Sequence, residues 1–278
     1  MCQYKDAFPN DLKNIVYALD STSIELNVIL FPWAIYGKNH AAVCMHTLLN
    51  LRGNIPTVIV ITSKLVSELK VLDQLEIEKD AIYIMDRGYI DFSRFYKIHK
   101  EEAFFVTRAK TDFKFKRLYS HKIDKNLGIK CDQIIHLKNK NSFTNFPEKL
   151  RRIKYKDSET KKQLVFITNN INLSAKTIIE LYRSRWQIEL FFKWIKQHLR
   201  IKAFYGRSEN AVKTQIWIAI SIYTLIAIIK KKLNIKLSLY IVLQILSVSI
   251  FEKVPILQAL SESNYQRADL EESQMSLF

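Results

Sequence analysis

Two runs of hydrophobic residues, each reaching a carboxylate, dominate the first third of the chain. Residues 14–22 (NIVYALDST) are almost continuously apolar up to Asp20, and residues 81–89 (AIYIMDRGY) are apolar up to Asp86. Unbroken apolar runs of this length are typical of strands that are buried on both faces of a sheet. We therefore predict two central strands, each ending at an Asp.

The segments around these runs alternate between strand and helix patterns, which predicts a mixed α/β sheet. Two of the apolar segments flank an Arg-Gly-Asn turn signal and predict a hairpin. The predicted elements are a strand at 24–31, hairpin strands at 41–49 and 57–62, helices at 63–75 and 91–102, and a strand at 103–109.

Residues 181–200 (LYRSRWQIELFFKWIKQHLR) contain no Gly or Pro and are rich in helix-forming residues, which predicts one long helix. At about 100° per residue, Tyr182, Arg185, Glu189 and Lys196 fall on one side of that helix. One carboxylate thus lies among two cations and a phenol. The alternative is a solvated helix face with an ordinary ion pair at a spacing of four residues. The apolar side chains gather in a neighbouring arc that we expect to face the core: Leu181, Ile188, Phe191, Phe192, Ile195 and Leu199.

The last part of the chain adds a buried strand and two apolar helices. The strand is predicted at 163–170 and the helices at 210–231 and 237–251, ahead of a polar tail at 262–278. The longest apolar run, residues 216–229, is shorter than the roughly 20 residues that span a bilayer. We therefore expect a buried helix there and no membrane contact.

The chain carries a large positive charge, and most of it lies in one segment. The formal net charge is +16, which argues for a polyanionic partner. Residues 113–162 hold fifteen Lys or Arg against five Asp or Glu, in short alternating pieces that predict small strands. We expect this basic insertion to contact DNA; the alternative is a lobe whose charges only keep it soluble. The candidate contacts are Lys114, Lys116, Arg151 and Arg152.

These patterns divide the chain into four parts. Residues 1–112 are the first part of an α/β core and contain both Asp residues, and residues 113–162 are the β-rich insertion. Residues 163–261 are the second part of the core, with the Glu189 helix and the C-terminal helices, and residues 262–278 are the tail.

Several kinds of site lack the residues that they require. The three Cys residues are far apart and have no Cys-x-x-Cys spacing, so we expect no disulfide framework, no zinc site and a reducing, cytoplasmic setting. The six His residues form no ligand spacing, and neither a phosphate-binding loop nor a nucleophilic-serine motif is present. The polar first residues do not resemble a signal peptide.

Three carboxylates are predicted to meet at one site. Asp20 and Asp86 follow buried strands, and Glu189 lies on a helix that must pack on the same sheet. Sites in open α/β sheets form beside the carboxyl ends of the strands, and converging carboxylates stay ionised only where cations compensate them. Two Mg²⁺ ions with oxygen ligands would do so and would support in-line phosphoryl transfer. Taken singly, each Asp could equally cap a turn.

One spacing along the predicted helix resembles a family signature. Tyr182, Arg185, Glu189 and Lys196 reproduce Y-x2-R-x3-E-x6-K, the signature of DDE transposases of the insertion-sequence-four family. The likeness runs from about residue 17 to about residue 260. It implies an RNase-H-like core with a β-rich insertion, Mg²⁺-dependent DNA cleavage at the ends of an insertion sequence, and strand transfer by the freed 3′ hydroxyl.

The resemblance also implies roles for particular residues. The segments ALDST and MDRGY are similar to the two aspartate motifs of the family, so Asp20, Asp86 and Glu189 would be the catalytic ligands of two Mg²⁺ ions, with Mn²⁺ as a substitute. Three further signature residues would hold DNA phosphates near the cut: Tyr182, Arg185 and Lys196. The expected partners are element ends and target DNA, bound by a homodimer in the cytoplasm of a prokaryote, at the nucleoid when on DNA.

One departure from the family pattern leaves alternatives open. Members generally carry a helical DNA-binding region of many tens of residues before the first Asp, whereas nineteen residues precede Asp20 here. This is expected of a truncated copy that lacks that region. The alternatives to an active transposase core are a non-catalytic DNA-binding remnant and an RNase-H-fold nuclease without strand transfer.

Overall fold

A mixed sheet of ten strands organises the computed structural model, which describes residues 12–110, 114–124, 127–199, 201, 203–249, 255 and 258. In chain order the strands are β1 (Val16–Leu26), β2 (Ile35–Gly37), β3 (His40–Asn50), β4 (Ile55–Ser63), β5 (Ile82–Met85), β6 (Phe104–Arg108), β7 (Phe115–Ser120), β8 (Ile129–Leu137), β9 (Leu150–Lys156) and β10 (Gln163–Thr168). The helices are α1 (Leu69–Leu72), α2 (Phe92–Lys100), α3 (Lys140–Asn145), α4 (Ala175–Ser184), α5 (Trp186–His198), α6 (Glu209–Lys232) and α7 (Leu239–Ser249).

Five neighbouring strands have the topology of an RNase-H-like core. Their spatial order is β4-β3-β1-β5-β6, with short β2 pairing to the other end of β3. The first three strands pair antiparallel, and β1, β5 and β6 pair in parallel. The predicted fold class, a mixed α/β sheet with an RNase-H-like core and flanking helices, is confirmed.

The basic strands continue the same sheet. β10 pairs antiparallel with β6 on one side and with β9 on the other, and β8 and β7 follow beyond β9. The segment predicted as an insertion is therefore joined to the core by a backbone hydrogen-bond ladder. The boundaries at 112 and 162 stay a prediction, and the tail at 262–278 lies outside the described residues.

Several predicted elements are present, and the helix predicted at 63–75 is not. The hairpin strands at 41–49 and 57–62 fall within β3 and β4, and the helix at 91–102 is α2, which begins where Asp91 Oδ1 accepts the Arg94 N–H at 3.0 Å. The helix predicted at 63–75 is wrong, because only α1 forms there. The Ser63 hydroxyl accepts the Leu65 N–H, and the Ser63 carbonyl oxygen accepts the Val66 N–H. These bonds form a turn, and no helix begins at that residue.

The first strand is longer than predicted and does not end at Asp20. β3 pairs with β1 as far as Leu26, so Ile24–Leu26 belong to β1 rather than to a separate strand at 24–31. What ends near Asp20 is the parallel ladder to β5, whose last pair joins Leu19 to Met85. At Asp20, therefore, β1 is no longer paired with β5 but is still paired with β3.

The long helix predicted at 181–200 is divided in two at Arg185. The Arg185 N–H donates to the Tyr182 carbonyl oxygen, and its own carbonyl accepts from Ile188, so the backbone bonds tighten to a spacing of three residues. α4 ends and α5 begins at this residue. The six apolar side chains predicted to face the core all do so.

Helices cover both faces of the sheet. α4, α5 and α6 pack on one face, and α2 packs on the other through Phe95 and Ile98. α6 is attached to the β3–β4 hairpin, because the Tyr223 hydroxyl donates to the Asn54 carbonyl oxygen at 2.8 Å.

The helices predicted at 210–231 and 237–251 correspond to α6 and α7, with residues 250 and 251 outside the described part. By length and composition α6 could cross a membrane, and 39% of its most apolar stretch is buried within the protein. The expectation of no membrane contact stays a prediction.

Candidate active site

The fold brings Asp20, Asp86 and Glu189 to one place. β1 and β5 pair in parallel, and their ladder ends at Leu19 and Met85. Asp20 and Asp86 are the next residues of the two strands. Glu189 projects from the first turn of α5, which packs on β1. The Asp86 carboxylate caps the turn that follows, since its Oδ1 accepts the Gly88 N–H at 2.7 Å. The Thr107 hydroxyl fixes its backbone by donating to the Asp86 carbonyl oxygen at 3.0 Å.

The Arg185 guanidinium bridges two of these carboxylates. Its Nη1 donates to Asp20 Oδ2 at 2.7 Å, and its Nη2 donates to Glu189 Oε1. The side chains of Arg185 and Asp20 are 18% and 19% exposed, so both charges are largely withdrawn from water. Over the described part of the chain, no group of three or more His, Cys, Asp or Glu side chains is placed to hold a metal ion. Arg185 thus supplies the positive charge between these carboxylates.

Burial and neighbouring charges together set the pKa of the Asp20 carboxyl. Burial raises the pKa of the Asp20 carboxyl to about 6, and the charges of Asp86 and Glu189 raise it as well. The Arg185 guanidinium and the Ser21 N–H lower this pKa but offset the increase only in part. Burial, the largest of these effects, thus disfavours the ionised form of Asp20.

This donor set fits a hard divalent cation. The three carboxylates offer only oxygen ligands, which Mg²⁺ prefers. In this structure, however, the Arg185 guanidinium occupies the space between Asp20 and Glu189.

Lys196 and Tyr182 attach the helices beside the carboxylates. Lys196 Nζ donates to Thr22 Oγ1 at 2.6 Å and to the Ser23 carbonyl oxygen at 2.7 Å, on the continuation of β1. The Tyr182 ring packs on Phe166 with centroids 4.9 Å apart. The roles of Lys196 and Tyr182 toward DNA stay a prediction.

A fourth carboxylate near the site was missed by the sequence reasoning. Glu68 Oε1 accepts a hydrogen bond from the Ser21 hydroxyl, next to Asp20. A Cβ built on Gly88 would lie 3.7 Å from Glu68 Oε2 and 2.9 Å from Asp86 Oδ1, so this glycine keeps the space between the two carboxylates open. The buried Tyr89 hydroxyl has no hydrogen-bond partner among the described residues. No local signal could have found Glu68, because its segment resembled a surface helix.

The four predicted contacts of the basic segment are in different environments. Lys114 and Lys116 are exposed. Arg152 is partly buried, with its guanidinium 4.7 Å from the centre of the Phe115 ring. Arg151 is only 5% exposed and donates to both oxygens of Asp132, at 2.8 and 2.7 Å. The prediction that Arg151 contacts DNA is therefore corrected, because its guanidinium is buried in an ion pair within the protein.

Comparisons with known proteins agree on one family. A family model described as "Transposase DDE domain" matches residues 11–225. The chain is 34% identical over 216 residues to "Putative transposase y4zB" of Sinorhizobium fredii, covering 76% of this chain and 59% of that protein. It is 27% identical over 237 residues to "Probable transposase for insertion sequence element IS5377" of Geobacillus stearothermophilus, covering 83% and 61%. The chain thus spans about three fifths of the length of these relatives.

A solved structure is more distantly similar. The cryo-EM structure of the piggyBac transposase synaptic complex with hairpin DNA has 8% sequence identity and a TM-score of 0.47, covering 92% of this chain and 54% of that one. The family model covers most of the present sequence. The chain therefore belongs to the transposase DDE domain family.

Proposed function

We propose that the chain is the catalytic core of a transposase that cleaves DNA at the ends of its insertion sequence and joins the freed 3′ hydroxyl to target DNA. The observation that carries the proposal is the convergence of three carboxylates: Arg185 bridges Asp20 and Glu189, and Asp86 lies close enough to Asp20 to raise its pKa. Membership of the DDE domain family supports the same reaction class. The proposed substrate is therefore the phosphodiester backbone of DNA.

The three carboxylates would hold two Mg²⁺ ions, which Mn²⁺ could replace. When bound, these ions supply Lewis-acid stabilisation of the charge that develops on the phosphodiester during an in-line displacement. Asp20 and Asp86 are on adjoining strands, and Glu189 is on a helix that packs on β1, so the backbone holds the three residues near one another.

The cations beside the carboxylates would serve the DNA. Arg185 stays protonated at any physiological pH, and its planar guanidinium matches a phosphate group. Lys196 carries a second positive charge to the strand that bears Asp20. We infer that Arg185 exchanges its carboxylate partners for a DNA phosphate when metal ions and DNA bind.

A cleavage assay tests the proposed function. The purified chain is incubated with Mg²⁺ and a duplex that carries the end of its own element, and nicked and joined products are resolved on a denaturing gel. We expect nicks that leave a 3′ hydroxyl, followed by joined products, and no reaction in EDTA. Protein that binds DNA but never nicks it in Mg²⁺ or Mn²⁺ would instead be a non-catalytic remnant. Nicks without joined products would indicate a nuclease.

Removal of the bridging cation should destabilise the metal-free protein. Arg185→Ala leaves Asp20 and Glu189 facing each other, and we expect the free energy of unfolding to fall by about 2 kcal/mol, less than for a fully buried pair because both carboxylates keep some solvent contact. Mg²⁺ should raise the stability of Arg185→Ala more than that of the unmodified protein, because no guanidinium then competes for the carboxylates. Urea denaturation with and without Mg²⁺ measures both effects.

Arg94 provides a matched control for this substitution. Arg94 also bridges two carboxylates, Asp73 and Asp91, neither of which is one of the three candidate metal ligands. Arg94→Ala should cost less than about 1 kcal/mol, with no dependence on Mg²⁺. Equal responses of the two variants to Mg²⁺ would contradict the exchange of Arg185 for metal.

A further inference from the structure

A cationic site, separate from the three carboxylates, lies on the basic half of the sheet. It is a pocket with a volume of about 310 Å³ between the ends of β6 and β10, the middle of β9 and the start of β7. Five cationic residues line it, and no Asp or Glu does. We refer to these five residues as the cationic pocket: Arg87, Arg108, Lys110, Arg152 and Lys154.

Among the described residues, no carboxylate is paired with the charges of the cationic pocket. Where the structure describes the chain, none of its five residues forms an ion pair. Other cations behave differently: Arg151, next to Arg152, is paired with Asp132, and Arg183 is paired with Asp157. Like charges that converge on a concave surface concentrate the local field and attract an anion.

The Arg152 side chain is held in place before any ligand binds. Arg152 Nη1 donates to Gln133 Oε1 at 3.0 Å, and its guanidinium lies over the Phe115 ring. Lys154 is two residues further along β9 and therefore lies on the same face of the sheet. It pairs directly with Val165, which also lines the pocket. A planar guanidinium held in this way loses little conformational freedom when it binds the oxygens of a phosphate.

The position of the pocket relates it to the carboxylates. Arg87 directly follows Asp86, and Arg108 follows Thr107, which bonds the Asp86 backbone. Between β5 and β9 there are three strand-to-strand steps, and at about 4.8 Å each they amount to about 14 Å. That distance corresponds to about four nucleotides of duplex rise.

We propose that the cationic pocket binds the phosphodiester backbone of the DNA strand that flanks the cleavage site, a few nucleotides from the reacting phosphate. This inference rests on the proposed function, because it takes the bound polyanion to be the DNA that the carboxylates cleave. Since phosphate contacts carry no sequence information, the pocket fixes where the strand lies and not which sequence is cut.

Salt titration of DNA binding in EDTA tests the pocket without requiring cleavage. A triple variant, Arg108→Gln, Lys110→Gln and Lys154→Gln, should flatten the slope of log K against log salt by up to about 2.7, since each lost phosphate contact accounts for about 0.9. The matched control removes the same charge elsewhere through Lys79→Gln, Lys176→Gln and Lys213→Gln, three lysines that are paired with carboxylates. The control should keep its slope, and equal flattening in both variants would overturn the proposal.

Neutral backbone substitutions locate the contact. Duplexes that carry a single methylphosphonate at successive positions should lose affinity for the unmodified protein at one or two positions, and the pocket variant should show no additional loss there. Absence of this coupling at every position would overturn the proposal, whether or not the protein cleaves DNA. Coupling in a protein that never cleaves DNA would support the proposal about the pocket and would refute only the proposed function.

Calorimetry with inorganic phosphate tests whether the pocket binds a free anion instead. Phosphate binding that the triple variant abolishes, together with unchanged DNA binding, would assign the pocket to a free anion.

Discussion

Asp20→Asn, Asp86→Asn and Glu189→Gln should each abolish Mg²⁺-dependent cleavage of DNA. Each substitution removes one negatively charged oxygen ligand and barely changes the side-chain volume, so the fold is retained while the cation site loses charge. We expect the cleavage rate to fall by at least about 10²-fold, as for the loss of one preorganised electrostatic contact in an active site. Nicking of an element-end duplex is the measurement, with circular dichroism to verify folding.

Binding and a control variant separate this result from general damage. Metal-free DNA binding should persist or tighten in all three variants, because each loses a charge that repels phosphate. Glu180→Gln is the matched control: Glu180 lies on α4, is paired with the exposed Lys176, and should be dispensable for cleavage. A Glu189→Gln variant that cuts at the unmodified rate would refute the catalytic assignment of this residue.

Arg151→Ala should produce the largest loss of stability, about 3–5 kcal/mol in the free energy of unfolding. The side chains of Arg151 and Asp132 are 6% and 7% exposed, so the substitution leaves an unpaired buried carboxylate. The Arg151 Nη1 also donates to the Leu173 carbonyl oxygen, which connects β9 to the loop before α4. Urea denaturation measures the loss.

Two further variants test why that loss arises. The neighbouring Arg152 is only partly buried, so Arg152→Ala should cost far less. A double variant, Arg151→Met with Asp132→Leu, removes both charges and should recover most of the lost stability, since a buried ion pair is often no better than apolar residues of similar volume. Equal losses for Arg151→Ala and Arg152→Ala would contradict the assignment of Arg151 to the core.

The contrast between Arg151 and Arg152 shows what the sequence could not reveal. Both belong to a run of basic residues that reads as one solvated surface. Strand alternation turns them to opposite faces, and Arg151 meets Asp132 only because of the register in which β8 and β9 pair. Local composition contains neither that register nor the partner nineteen residues away.

The main elements of the fold were predictable because their signals are local. The apolar runs before Asp20 and Asp86 gave β1 and β5, and Asp91 marked the start of α2. The division of the predicted long helix was not predictable, because helix propensity favours a continuous helix through Arg185. The Arg185 bond to Asp20, which spans 165 residues, is tertiary and has no local signal. Glu68 was missed for the same reason, as its bond to Ser21 spans 47 residues.

The continuity of the sheet has a consequence for shortened relatives of this chain. β10 is an interior strand only because β9 pairs with it along Gln163–Thr168. A chain that lacked β7, β8 and β9 would leave the backbone N–H and C=O groups of that apolar strand exposed at a free edge. Such an edge is a template for pairing with another molecule and leads to aggregation. The basic strands therefore protect the core from self-association, and Lys116 and Arg117 place charges on β7, the new edge that they form.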